Sequence, residues 1–303
     1  MNVLITGATG LVGTALIKEL KKSNNTIHYL TTSPSKLNSI EGCKGFLWNP
    51  GKNEIDSNCW EGISVLIHLA GASISMPWTV KNRELIRNSR TQSAALLTDS
   101  LKENQKSLKT VVAASAIGVY PSSLSEEYKE ASSSTASNFL GTVVNEWETA
   151  VSAIEAYSAA VIRLRIGLVL STKGGVLQQL AFPVKLGAGA AFGTGQQGQS
   201  WIHIQDLVQL LLFSTTQKES ILFNAVAPNP VTQNEMIKTL GKVFKRPVFL
   251  PTIPAFLMRL ILGERSALVL DSQFVNSEKV QKAGFTFKFL NLQEALENLY
   301  AKN

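Results

Sequence analysis

The first thirteen residues, MNVLITGATGLVG, constrain this chain more than any others. A β-rich run (Val3, Leu4, Ile5, Thr6) meets Gly7, Gly10 and Gly13, and a helix-forming run follows over 11–22. Glycines at such a turn let the backbone approach a ligand where a Cβ would collide. The free N–H groups and the positive dipole end of the following helix favour an anion there. The plainer reading of three glycines is a surface turn. The strand before them and the helix after them instead match the first unit of a doubly wound dinucleotide-binding fold, in which the anion is a pyrophosphate.

The rest of the chain carries the alternation such a fold needs. Strand signals fall at 26–32, 45–48, 65–70, 110–115 and 159–165, and helix signals at 79–104 and 138–156. The run VLIHLA over 65–70 is almost continuously apolar, as in a parallel strand buried on both faces. The pattern predicts a Rossmann-like α/β fold, a doubly wound parallel sheet with right-handed crossovers. Near residue 170 the rhythm changes. Glycines crowd the stretch 174–198, a short strand is expected at 201–204, and helices at 205–216, 232–245, 254–262 and 292–301. Residues 1–170 therefore read as the dinucleotide-binding domain, with part of the later chain returning to it. Residues 171–303 read as a smaller C-terminal substrate lobe over the C-terminal edge of the sheet.

Composition narrows the class. Hydrophobic residues make up 45% of the 303 residues and charged ones 17%, which suits a well-cored globular enzyme. Two cysteines, Cys43 and Cys59, give no disulfide framework. The apolar run at 3–5 is too short for a signal peptide, and 253–262, with Pro254 and Arg259, is too short to cross a bilayer. The expected location is cytoplasmic. A net charge of +7 raises the question of nucleic acid, but the basic residues are scattered, with only short pairs such as Lys21–Lys22. The charge reads as attraction for an anionic small molecule. Expected partners are thus a small-molecule substrate, with neither nucleic acid nor membrane, in a monomer or homodimer. No histidine and cysteine cluster has metal-ligand spacing.

A carboxylate at the end of the second strand normally binds the adenosine ribose of NAD. Here that position reads Thr31, Thr32, Ser33, with Lys36 beyond. Without an acid to repel a 2′-phosphate, NADP is the expected cofactor, with NAD the alternative. Ser33 can donate a hydrogen bond, and Lys36 is either a source of charge or a solvated loop lysine.

These segments resemble the extended short-chain dehydrogenase/reductases, the group that includes nucleotide-sugar epimerases and dehydratases. More closely, the chain resembles an atypical subgroup of NAD(P)-dependent epimerase-like proteins with a C-terminal domain of unknown function. The resemblance is carried by TGATGLVG (6–13), HLAGASI (68–74), RNSRTQSA (87–94), ASAIGVY (114–120), NEWE (145–148), RLRIGLVL (163–170), GTGQQGQSWIHIQDL (193–207), FNAVAPNPVT (223–232), RPVFLPTIPAFLMRLILGE (246–264) and LDSQFV (270–275). It implies that Gly7, Thr9, Gly10, Leu11, Val12 and Gly13 form the pyrophosphate turn and that Leu69, Ala70 and Gly71 border the cofactor. Arg90 falls where related enzymes carry an asparagine facing the cofactor. Ala113, Ala114 and Ser115 end the fifth predicted strand beside the nicotinamide, with Ser115 bonding the substrate oxygen. The segment around Trp201, His203 and Asp206 lies near the substrate. The implied reaction is hydride transfer at a carbinol or carbonyl carbon; the motifs specify no substrate, a nucleotide sugar being one alternative.

One part of that pattern is missing. The superfamily uses a tyrosine followed four residues later by a lysine, and none of the five tyrosines has that lysine. The corresponding positions fall near Leu140 and Val144. Ser115 and His203 are the remaining catalytic candidates, His203 because an ordinary histidine exchanges protons near neutral pH. Its other reading is a strand histidine bonded to the backbone. His68 and His28 read as structural, Tyr120 as packing, and Glu146 and Glu148 as surface or packing residues. Trp78 and Trp201 are candidates for the substrate pocket, or for the core. The chain is either an NADP-dependent oxidoreductase or epimerase, or a non-catalytic NADP-binding sensor or scaffold that lost the proton-transfer pair.

Overall fold

Val3, Leu4 and Ile5 have no solvent exposure, and neither do Leu66 and Ile67. Unbroken apolar strands of this kind need cover on both faces, and here they form the middle of an eight-stranded sheet. The structure is a computed structural model that describes residues 1–301, so the last two residues of the 171–303 segment lie outside the described residues. In chain order the strands are β1 (Asn2–Thr6), β2 (Thr26–Thr31), β3 (Lys44–Asn49), β4 (Glu54–Ile55), β5 (Val65–His68), β6 (Thr110–Ala116) and β7 (Glu127–Tyr128). They continue with β8 (Val161–Ile166), β9 (Leu168–Leu170), β10 (Gly198–Gln199), β11 (Trp201–His203), β12 (Ile221–Ala225), β13 (Val231–Thr232) and β14 (Phe274–Val275).

The large sheet runs β12-β8-β6-β5-β1-β2-β3-β4. β1 pairs in parallel with β2 and β5, β2 with β3, and β5 with β6, while the two-residue β4 runs antiparallel to β3. The chain therefore winds outward from β1 in one direction, then crosses back to β5 and winds in the other. Ligands of open parallel sheets bind at that switch point, beyond the strand ends. The major helices are α1 (Leu11–Leu20), α2 (Val80–Glu103), α3 (Phe139–Ser152), α4 (Val176–Lys185), α5 (Ile204–Ser214) and α6 (Gln233–Phe244). Expected and observed elements agree within a few residues. The differences are short or peripheral: β4, β7, β9, β10, β12, β13 and β14 carry no strong sequence signal, the expected helix over 138–156 finishes as a 3₁₀ turn (Ala153–Tyr157), and 65–70 leaves the sheet after His68.

The chain divides into two compact units of discontinuous sequence. The first comprises Met1–Ala116, Thr142–Arg165 and Val208–Phe223, and the second Ile117–Gly141, Ile166–Leu207 and Asn224–Asn303. The later chain returns to the first unit through residues 208–223, and residues 117–141 belong to the second although they precede 170. The second unit has its own core, in which α4 and α6 pack around Leu170, Leu180, Trp201, Met236, Leu240 and Leu296. α6 starts at a capping box, Thr232 accepting from the Glu235 N–H and Glu235 from the Thr232 N–H, which satisfies two otherwise orphaned donors. Among the described residues no helix is long and apolar enough to cross a membrane.

Candidate functional site

Gly7 follows β1 with φ +71°, a left-handed conformation that only glycine adopts without strain. A Cβ built on it would lie 2.7 Å from the Leu69 carbonyl oxygen, so the ends of β1 and β5 meet at this residue. Gly13, in the first turn of α1, faces back on the same loop, and a Cβ there would collide with the Gly7 carbonyl oxygen. Gly10 is the N-cap of α1, with no side-chain cap and no acid in the first turn. The leading N–H groups of α1, from Leu11 and Val12, are thus left for an outside acceptor.

Thr6 fixes the opposite wall. Its Oγ1 accepts the N–H groups of Leu69 and Ala70, both at 3.1 Å, and lies 2.8 Å from His68 Nδ1. With both lone pairs used, the hydroxyl proton must go to Nδ1. His68 then carries its proton on Nε2 and donates to Ser93 Oγ at 3.3 Å, and Ser93 donates to the Arg90 carbonyl. One ordered chain of protons thereby ties β1, β5 and α2 together. It also holds the loop after β5 against the glycine turn. His68 is fully buried, and burial, reinforced by Arg90, lowers its pKa to about 4.

Beside this turn is a cavity of about 480 Å³, within the range of small-molecule sites. Of the residues expected at the cofactor, Gly7, Thr9, Thr32, Ser33, Ala70 and Gly71 line it, together with Lys36. Gly10, Leu11, Val12, Gly13, Leu69, Arg90, Ala113 and Ala114 are not in its wall; Arg90 lies against Gly71, and Ala113 and Ala114 are buried within β6. The wall also holds residues that sequence reasoning missed: Trp48, Asn49, Pro50 and Gly51 where β3 ends, and Asn88, Ser89 and Gln92 on α2. No carboxylate lines the cavity. Ser33 and Ser35 share a hydrogen bond of 2.9 Å at the start of a short 3₁₀ turn (Pro34–Lys36), and no carboxylate among the described residues pairs with Lys36.

Ser115, buried at the end of β6, donates to Glu148 Oε1 at 2.5 Å. Arg165 on β8 grips the same carboxylate from both prongs, Nε to Oε1 at 2.8 Å and Nη2 to Oε2 at 2.9 Å. Burial pushes Glu148 up, but the hydrogen bonds from Arg165 and Ser115 outweigh it and the carboxyl ends below its ordinary value. Glu148 is therefore not a surface residue. It anchors Ser115, and through it α3 is tied to two elements distant in sequence, β6 and β8. Glu146 does lie outward, paired with Arg87.

Three other expectations change. Trp201 has no solvent exposure, packs in the core of the second unit and donates its indole N–H to the Asn229 carbonyl; it is a core residue. His203 is fully buried, stacks on Phe289 at 3.9 Å and accepts the Gln205 N–H through Nδ1. Burial, then Lys288, lowers its pKa to about 4, so it is neutral near pH 7 and poorly matched to proton exchange there. Asp206 receives the backbone N–H groups of Lys288 and Phe289 and serves the packing of that unit. Trp78 is half-buried, with its N–H on the Ile74 carbonyl and Arg83 over its ring.

The two buried histidines predict a pH dependence. Their pKa falls from 6.5 to about 4 on folding. Below pH 6.5 the unfolded chain takes up protons that the folded chain refuses, so the stability is present above 6.5 and drains away towards pH 4. Between pH 7 and pH 5 the loss is roughly 2 kcal/mol per histidine. Urea unfolding at both pH values measures it, and a smaller loss is expected in His68→Asn. An unchanged unfolding free energy would contradict the burial argument.

Comparison with known proteins agrees with this geometry. Residues 3–225 match the NAD dependent epimerase/dehydratase family, and residues 253–299 match a domain of unknown function, DUF1731. The chain belongs to the NAD dependent epimerase/dehydratase family. An epimerase family protein of Staphylococcus aureus (strain MRSA252) is 38% identical over 301 residues, 99% of each chain. The crystal structure of human epimerase family protein SDR39U1 (isoform 2) with NADPH superposes with a TM-score of 0.86 and 25% identity, covering 100% of both chains. The UDP-glucose 4-epimerase of Thermotoga maritima shares the fold, with a TM-score of 0.79 at 16% identity over 99% of each chain. In this epimerase/dehydratase-family chain the glycine turn follows β1, at the centre of the sheet.

Proposed function

We propose that this epimerase/dehydratase-family protein is an NADP(H)-dependent oxidoreductase or epimerase acting at a carbinol or carbonyl carbon. The observation that carries this reading is the cavity at the glycine turn, which has no carboxylate in its wall and Ser33 and Lys36 where a 2′-phosphate would lie. The cradle suits a diphosphate, since the α1 N-terminus is uncapped and glycines at 7 and 13 let the turn close against Leu69 and against its own backbone, where a Cβ would collide. The NADPH in the human relative's crystal structure supports the same choice. Residues beyond 170 are proposed to select the substrate.

When bound, a nicotinamide supplies or removes a hydride at C4. The protein's part is to hold the substrate oxygen and manage its proton. Ser115 has its proton on Glu148, so towards a ligand it presents lone pairs that accept from a hydroxyl. For a carbonyl ligand the Ser115 hydroxyl must turn from Glu148 to the ligand oxygen, and the Arg165 grip on Glu148 lets it do so without leaving that carboxylate unpaired. Glu148 and Arg165 thus act as positioning residues.

The test is consumption of NADPH, read as absorbance, over a panel of ketones and nucleotide sugars with keto groups. A turnover is expected with at least one compound, and Ser115→Ala should lower kcat by about 10²-fold or more while leaving NADPH affinity within threefold. A second reading has its own observation: Leu140 and Val144 stand where the tyrosine and lysine are expected, and Val144 is buried. Tight NADPH binding with neither NADPH consumption nor, by chromatography of the sugars, any epimerised product across the panel would overturn the catalytic reading in favour of a cofactor-binding sensor.

A further inference from the structure

Arg90 on α2 is a mostly buried cation whose charge nothing nearby balances. Its Nη1 donates to the carbonyls of Ile86 at 2.8 Å and Ala72 at 3.2 Å, and its Cζ lies 5.1 Å from the Trp147 ring centre. The acids that flank Trp147 on α3 are committed elsewhere, Glu146 to Arg87 and Glu148 to Arg165. No carboxylate among the described residues pairs with Arg90. Burial lowers its pKa to about 10, which leaves it charged at neutral pH.

The guanidinium lies against the backbone of Gly71. A Cβ built there would sit 3.1 Å from its Cζ. Gly71 and Ala72 line the cavity at its β5 end, whereas Ser33, Lys36 and Trp48 line it at the β2 and β3 end. The strand order β3-β2-β1-β5-β6 then sets the direction of a bound dinucleotide. With adenosine at β2 and β3 and diphosphate on the turn after β1, the nicotinamide end runs towards β5 and Arg90. This direction rests on the cofactor reading above.

We propose that Arg90 makes the site discriminate the redox state of its cofactor, holding the uncharged reduced nicotinamide in preference to the cationic oxidised one. Two like charges near one another in a partly dry site repel enough to change affinity tenfold or more. The resting protein then carries NADPH. A carbonyl substrate can accept the hydride of that form at carbon while its oxygen gains a proton, ultimately from water, to leave an alcohol and NADP⁺. Oxidation of a carbinol as a first step needs the disfavoured form.

The experiment is a calorimetric titration of the full chain with NADPH and with NADP⁺, for the wild type, Arg90→Gln and Arg90→Lys. Gln can still donate to the Ala72 and Ile86 carbonyls without a charge, and Lys keeps the charge without the fork. The wild type should bind NADPH at least tenfold tighter than NADP⁺. Arg90→Gln should bring the ratio within threefold of unity, chiefly by tightening NADP⁺, and Arg90→Lys should keep most of it. A merely structural Arg90 would weaken both ligands in parallel, which overturns the proposal. Equal wild-type affinities overturn it without any variant, should the substitutions fail to fold. If neither form binds, it is the cofactor reading itself that fails.

Discussion

Gly7→Ala is expected to weaken NADPH binding by about 10²-fold or more. Two separate costs arise at this one position. The backbone there has φ +71°, a conformation that alanine adopts only with strain of about 1 kcal/mol or more. The added methyl would also stand 2.7 Å from the Leu69 carbonyl oxygen and 2.8 Å from its carbon. Both atoms belong to backbone, and that backbone is pinned by the two hydrogen bonds to Thr6. Relief therefore requires the β1 turn and the β5 loop to part, which spreads the cradle. Gly10→Ala is the internal control: its Cβ meets only the Gly7 carbonyl oxygen, at 3.2 Å, and φ is −78°. A loss at Gly10 smaller by at least tenfold is expected, with both variants folded by circular dichroism. Equal, small losses at the two positions would mean that this turn does not hold the ligand.

The second large effect is on stability. Arg165→Met should cost about 3–5 kcal/mol in urea unfolding, because it strands the Glu148 carboxylate in a site with little water. The side chains of the pair are only 10% and 14% exposed, so screening does little to soften the loss. Removing the arginine lets burial dominate, and the Glu148 pKa should rise from its depressed value, although Arg163 still acts on it from a distance. The double variant Arg165→Met/Glu148→Leu should recover most of the stability, since removing both partners leaves no charge unpaired. Losses that simply add in the double variant would show that the two groups are not coupled.

Much of this was legible in the sequence where one local pattern carries the information. The turn at 6–13 has strand, glycines and helix side by side, and the notch at Thr32 and Ser33 follows the next strand by counting. The rest depends on contacts that no local pattern encodes. Thr6 reads as an ordinary strand threonine until Leu69, Ala70 and His68 are brought to it from more than sixty residues away. Glu148 reads only as a helix-surface or packing acid because its partners are on β6 and β8. Trp48 to Gly51 wall the cavity only because β3 ends beside β2. The opposite error has the same root. His203 and Trp201 have chemistry that suits a site, but the fold buries both, and a histidine without water loses the pKa that recommended it.

The most direct test of the claim that this fold grips a dinucleotide at the β1–β5 junction is calorimetry of the purified full chain with NADPH and NADH. Expected is a saturable heat with one site per chain, and, from the proposed role of Ser33 and Lys36 at a 2′-phosphate, tighter binding of NADPH than of NADH. Absence of heat for both coenzymes, from folded protein, would contradict it.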